Sequence, residues 1–227
     1  MWALKEQVWP ICAQMYAMSE ADYYSRLSIF HSFALFYDGE ELIGFLSFFL
    51  DKTKIESKSI TLLGIGFGAV LEPYRDLALV PKTSMQFYLK VLKQNPFQRI
   101  FIWGMAMSHL SYRMGMRGSV YRYPISDKKT PTFYQKLLDY IGDKYYKDSY
   151  DATNCTAQVK FSVKDPKAIP TEEDMRDNIV AEFIQLVPTA TQVDNKTGLI
   201  YVFPVLPNAP FWFKKFVLGI GRRRKTK

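Results

Sequence analysis

The run from Ser59 to Val70 constrains the fold more than any other part of the chain. It carries no charge, and Ile60, Leu62, Leu63, Ile65, Phe67 and Val70 are apolar or β-branched, which reads as one strand buried in a sheet. Gly64, Gly66 and Gly68 fall within it. Because side chains on a strand alternate, strict alternation puts these three glycines on one face with Leu62, Val70 and Glu72. That face is then a bare floor, able to take a pantetheine arm or an acyl chain. Two other readings stay open, a bulge or a helix packed closely on the sheet.

Behind the strand come Leu71-Glu72-Pro73-Tyr74-Arg75-Asp76-Leu77-Ala78-Leu79-Val80 and then a helix. Ser84 is placed to cap it, with Phe87, Tyr88, Val91 and Leu92 at helical spacing and Asn95-Pro96 as the stop. A strand that feeds a helix through a short turn leaves backbone N–H groups free at the helix start, where a phosphate can bind.

Around this centre the chain reads as α+β. Leu4, Val8, Ile11, Met15 and Met18 recur at helical steps, interrupted by Pro10, and Ser19 caps a second helix over 21–30. Apolar runs at 33–37 and 41–50, joined by Asp38-Gly39-Glu40, predict a hairpin. Ile100-Phe101-Ile102-Trp103 reads as a strand leading into the segment 108–115. Further on, the pattern predicts a short strand at 119–123, a helix at 132–145, a strand at 153–163 and a helix at 172–186 opened by Thr171. It also predicts an edge or terminal strand at 199–206, because that run contains Pro204. Residues 126–210 form an extension that either completes the sheet or makes a lid.

Composition removes several classes of function. Two cysteines, Cys12 and Cys155, make neither a disulfide framework nor a zinc quartet, and two histidines do not build a metal site. No Gly-x-Ser-x-Gly elbow, phosphate-binding P-loop or His-Glu-x-x-His pair is present. The first residues mix charges, and no long uncharged apolar run follows, so a cytoplasmic, reducing setting is expected. The net charge of +8 comes largely from residues 211–227, which carry Lys214, Lys215, Arg222, Arg223, Arg224, Lys225 and Lys227 and no acid. The rest is nearly neutral, and the basic balance reports a tail.

Pro73, Tyr74 and Arg75, followed by Ala78 and Val80, resemble motif A of the GNAT superfamily of N-acetyltransferases, in which a strand ends in V-x-P-x-Y-R and continues into a glycine-rich turn and a helix. Tyr112, in Ser108-His109-Leu110-Ser111-Tyr112-Arg113-Met114-Gly115, stands near the family's helical tyrosine. The resemblance spans about 33–121, a divergent core at 1–125. It implies a mixed, largely antiparallel central sheet flanked by helices, with a splayed pair between the strands at 59–71 and 99–104. The implied reaction is N-acyl transfer from an acyl-CoA or acyl-carrier thioester to an amine, with acetyl-CoA or a longer acyl-CoA as co-substrate. Val70, Leu71, Arg75, Asp76, Leu77, Ala78, Leu79 and Val80 become the donor-binding residues. Ala78 and Val80 depart from the family's small-residue pattern and narrow the cradle, and Pro81 removes one N–H.

Such a transfer needs a base for the ammonium and an acid for the leaving thiolate. Glu72 is the candidate base and Tyr112 the candidate acid, with His109 as a spare base. The alternative is a non-catalytic protein that kept the fold and lost the cradle. Phe211-Trp212-Phe213 and the following basic run suit an anionic membrane surface, where the protein would act peripherally on a medium or long acyl donor. RNA is a second acidic partner that such a cluster suits. A third reading docks the apolar part on the core and leaves a solvated end.

Overall fold

The computed structural model describes residues 2–94, 98–116, 119 and 121–205. A seven-stranded sheet of order β2-β3-β4-β5-β9-β7-β6 runs through it: β2 is Ser32–Asp38, β3 Glu41–Ile55, β4 Lys58–Val70, β5 Arg99–Ala106, β6 Tyr150–Asp151, β7 Thr156–Gln158 and β9 Thr197–Pro204. Every neighbouring pair is antiparallel except β4 with β5, which are parallel. A separate two-stranded ribbon joins β1, Tyr16–Ala17, to β8, Ser162–Val163. This is the expected α+β architecture, a largely antiparallel sheet with helices on both faces.

Alternation along the strands sorts the helices. Ile60, Leu62, Phe101, Trp103, Ile200 and Val202 pack with α5, Thr132–Tyr145, while Phe45, Phe67 and Ala69 pack with α1, Trp2–Met15, and α2, Glu20–Leu27. On the other face, Leu63 and Ile100 meet α3, Leu79–Gln94, and Ala106, Leu199 and Phe203 meet α4, His109–Met116, and α6, Asn178–Leu186. Most of these side chains are under a tenth exposed, and burying each contributes roughly 1.5–3 kcal/mol.

Local chemistry sets the element ends. The Ser19 hydroxyl accepts the Asp22 N–H at 3.1 Å and opens α2. The Asp38-Gly39-Glu40 turn closes the first hairpin, with Gly39 at φ +59°. The β3–β4 hairpin turns instead on Glu56 and Ser57, at φ 50° and 64°. This left-handed pair is usually built from Asn and Gly, so the turn carries no such signal in the sequence, and β3 runs five residues past the predicted end at Leu50.

Several expectations are corrected. The three glycines of β4 do not share a face. Leu46 pairs with Gly68 and Phe48 with Ile65, so two residues of β4, Gly66 and Phe67, oppose Ser47 alone, and this bulge reverses the alternation. A Cβ on Gly64 would stand 2.5 Å from the Trp103 indole and 2.7 Å from Phe49, one on Gly66 would collide with Phe30, and one on Gly68 would stand 2.6 Å from Leu46 on the opposite face. Helix α3 starts at Leu79, and the Ser84 hydroxyl donates to the Val80 carbonyl inside it. Pro81 is tolerated because it lies in the first turn, where its missing N–H has no helical acceptor. The stretch 153–163 splits into β7 and β8 in different sheets, and 119–123 contributes a single bridge from Tyr123 to Val202. Thr171 caps a turn that ends at once, with Asp174 donating its N–H to the Thr171 hydroxyl at 3.2 Å; α6 is capped by Asp177. Strand β9 is internal, between β5 and β7, and Pro204 is its last residue. Within residues 150–204, strands β6, β7 and β9 thus complete the sheet.

Candidate functional site

Strands β4 and β5 pair from Ile60 with Arg99 to Ile65 with Gly104 and no further. Beyond that point β4 continues to Val70 bonded only to β3, while β5 ends at Ala106. Side chains take the place of the missing strand. The Tyr16 hydroxyl donates to the Gly68 carbonyl at 3.1 Å, and Arg75 Nε donates to the Val70 carbonyl at 3.1 Å. The two strands part here, and the gap opens into a cavity of about 790 Å³.

The wall is mostly apolar and belongs to both faces of the sheet. Leu79, Tyr88 and Leu92 of α3 and Ile102 of β5 line it on one side; Phe30, Phe49 and Phe161 line it on the other. Gly66 to Val70 and Met105 form the rim of the gap between them. The volume lies in the upper part of the range usual for small-molecule sites.

At one end stands the turn into α3. The short 3₁₀ turn Glu72–Leu77 ends on Ala78, at φ 54° and ψ 37°, and α3 begins immediately. The chain therefore makes a left-handed turn with alanine where glycine would make it without strain. Ala78, Leu79, Val80 and Pro81 all line the cavity, and Leu79 and Val80 keep the free N–H groups of a helix start. Arg75 stands beside them, with Nη1 2.7 Å from Asp165 and Nη2 2.9 Å from the Met15 sulfur. Asp165, after β8, is the only carboxylate in the cavity wall among the described residues.

The residues predicted from sequence divide. Val70, Arg75, Ala78, Leu79 and Val80 reach the cavity; Leu71, Asp76 and Leu77 do not. Glu72 does not lie on a glycine floor. It opens the 3₁₀ turn, its side chain is 73% exposed, and it meets Lys167 at 3.3 Å. Tyr112 is buried and stacked on Phe183 away from the cavity, and among the described residues no group meets its hydroxyl at good hydrogen-bond geometry. Burial, then the Glu182 carboxylate, push its ionisation up against the opposing pull of Arg122. His109 is buried too, with its Nδ1–H donated to the Ala168 carbonyl at 3.0 Å and its Nε2 3.7 Å from Asp174. It braces the loop after β8. Cys12 is buried, and burial pushes its thiol up to about 12.

One residue of this site escapes a linear reading. Tyr201 of β9 lines the cavity at the apex of the gap, where Gly104 is the last residue of β5 to pair with β4. A Cβ on Gly104 would stand 2.6 Å from the Tyr201 hydroxyl oxygen and one on Gly115 3.1 Å. These glycines leave the hydroxyl its room, and burial keeps it protonated. The signal was the pair of glycines, and it needed the register of β9 against β5 to be read.

Residues 206–227, with the aromatic and basic stretch, lie outside the described residues. Among the described residues no helix is long and apolar enough to cross a membrane, and no group of three or more His, Cys, Asp or Glu side chains is placed to hold a metal ion. No family model matches the sequence, and no curated protein matches it.

Proposed function

We propose that the protein is an N-acyltransferase of GNAT type that binds an acyl-CoA or acyl-carrier thioester in the gap between β4 and β5. The observation that carries this reading is the gap itself, a parallel strand pair that parts at Ile65 and Gly104 over an apolar cavity, with the start of α3 and Arg75 at its mouth. The thioester arm lies along the open edge of β4 from Gly66 to Val70, and its phosphates meet the N–H groups of Leu79 and Val80 and those of the Arg75 N–H groups that Val70, Asp165 and Met15 leave over. The cavity exceeds the needs of an acetyl group, which favours a medium or long acyl donor. Tyr201 protonates the leaving thiolate, and Asp165 is the carboxylate placed to take the ammonium proton. Glu72 and Tyr112 have no part in it.

Thermal shift with coenzyme A, acetyl-CoA and palmitoyl-CoA tests the reading. Palmitoyl-CoA should raise the melting temperature most, and Arg75→Ala should weaken the effect of all three. No shift with any of them would overturn it in favour of a non-catalytic binding protein of the same fold. That second reading draws on one observation, the removal of both sequence-predicted catalytic groups from the cavity. A peripheral membrane role for residues 211–227 is tested by co-sedimentation with anionic vesicles. Removing residues 222–227 should reduce pelleting at low salt, and added salt should have the same effect, because exposed charges are screened within about 8 Å at physiological ionic strength.

A further inference from the structure

We propose that Arg26 anchors a carboxylate on the acceptor, so that the amine acylated in this cavity belongs to an amino acid or a similar carboxylate-bearing amine. The inference rests on the acyltransferase reading above and adds the substrate class. Its basis is the contrast between the two arginines of the cavity wall. Arg75 has the Asp165 carboxylate at 2.7 Å. Arg26, in the last turn of α2, has none: among the described residues no carboxylate lies within 4.0 Å of it. Its guanidinium carbon sits 4.6 Å from the centre of the Tyr146 ring, and its Nη1 reaches the Tyr145 carbonyl at 3.5 Å, the outer limit of a hydrogen bond.

A guanidinium offers five N–H donors in a planar fork, and a partly buried charge is costly unless paired. Arg26 therefore brings to the wall of an apolar cavity a guanidinium that has aromatic and carbonyl contacts but no carboxylate partner among the described residues. That geometry matches a carboxylate, which takes two parallel N–H bonds. The two cations belong to different elements of the wall, Arg75 to the turn before α3 and Arg26 to the last turn of α2. Donor phosphates and acceptor carboxylate thereby use separate groups, and the thioester carbonyl and the amine meet at the gap. In the transfer the amine nitrogen forms a bond to the carbonyl carbon, the C–S bond breaks, the sulfur takes a proton and the nitrogen loses one. Thioester and amine become amide and thiol, and the carboxylate held by Arg26 is unchanged.

Isothermal titration of the full chain with N-palmitoylglycine, N-palmitoylethanolamine, palmitate and palmitoyl-CoA tests this. N-palmitoylglycine should bind about tenfold or more tightly than N-palmitoylethanolamine, the ratio expected of a charged hydrogen-bond pair. Arg26→Gln should abolish that advantage, Arg26→Lys should keep part of it, and palmitoyl-CoA should bind all three chains within about twofold. The proposal is overturned if Arg26→Gln leaves N-palmitoylglycine binding intact or weakens both amides equally. It is overturned as well if palmitate shows the same dependence on Arg26 at equal affinity, because the carboxylate would then be a free fatty acid's. Palmitoyl-CoA failing to bind while N-palmitoylglycine binds through Arg26 would remove the acyltransferase reading and leave a carboxylate-binding cavity. Melting curves of the variants confirm that each is folded.

Discussion

The two halves of β4 carry the same kind of sequence and meet opposite fates. From Lys58 to Ile65 the strand lies between β3 and β5, and its one glycine, Gly64, is covered by Trp103 and Phe49. From Gly66 to Val70 it keeps β3 alone, reverses its faces at the bulge and borders the cavity. A glycine in this strand therefore does not mark the site by itself. Gly64 makes room for an indole, and Gly66 allows a kink under Phe30. What separates the halves is whether a neighbouring strand is present: β5 runs on to Ala106 beside β9 but leaves β4 after Gly104.

The largest expected effect tests the closed half. Gly64→Val forces two methyl groups toward aromatic rings that are packed on both sides, so it should cost about 3 kcal/mol or more of unfolding free energy in a denaturant titration. Gly68→Ala meets only the end of the Leu46 side chain, which can rotate, and should cost under about 1 kcal/mol. Equal losses at the two positions would break the comparison. Next in size, Tyr16→Phe removes the hydroxyl that stands in for a strand at the Gly68 carbonyl, at an expected cost of roughly 0.5–1.5 kcal/mol. Ala78→Gly should act in the opposite sense. It relieves a left-handed alanine and should stabilise by up to about 1 kcal/mol, sharpening the claim that the turn into α3 is held by tertiary packing against its local preference.

How far the sequence could be read follows the same division. The elements with strong periodicity and local caps, α2, the first hairpin, β4 and α5, are legible because their signals lie within a few residues. Their partners are not. The bulge at Gly66 and Phe67 depends on Ser47, twenty residues earlier, whose hydroxyl donates to the Phe67 carbonyl at 2.9 Å. Without that contact strict alternation carries Glu72 onto the cavity face, although Pro73 and the 3₁₀ turn then lead it into solvent. The internal place of β9 was hidden by Pro204, which reads as an edge residue but sits at the strand's last pairing position, opposite Phe101. Tyr201 was hidden with it. At the cavity, the end beside α3 was legible because the whole turn from Val70 to Val80 is contiguous. Tyr201 and Asp165, which also face the cavity, come from segments about 90 residues or more from that turn, brought in by β9 and by the ribbon of β1 and β8.

The smallest effect concerns pH and again sits on the closed half, where Asp51 of β3 pairs with Leu62 of β4. Burial pushes the Asp51 carboxyl up, but hydrogen bonds from Lys144 and from the Tyr140 hydroxyl at 2.9 Å outweigh it, and the net shift is downward. A carboxyl whose folded value is depressed adds stability that is fully present above its unfolded value, near 3.9, and lost as pH falls through the lower folded value. Lys144 behaves as the mirror case. Burial lowers it, the Asp51 contacts raise it further, and the net rise means its contribution is complete below about 10.4 and lost as pH climbs through the folded value. The gap in melting temperature between the native chain and Asp51→Asn should therefore stay level from about pH 5 to about pH 9 and close toward both extremes. Arg75 and Asp165, at the mouth of the open half, form a partly buried pair that shares no partner with Asp51 and Lys144, and changes at sites without shared partners add. Asp165→Asn should then leave that profile unchanged while altering the binding of palmitoyl-CoA. A profile that instead collapses with Asp165→Asn would show that the open half of β4, and not the closed half, carries the pH-dependent stability.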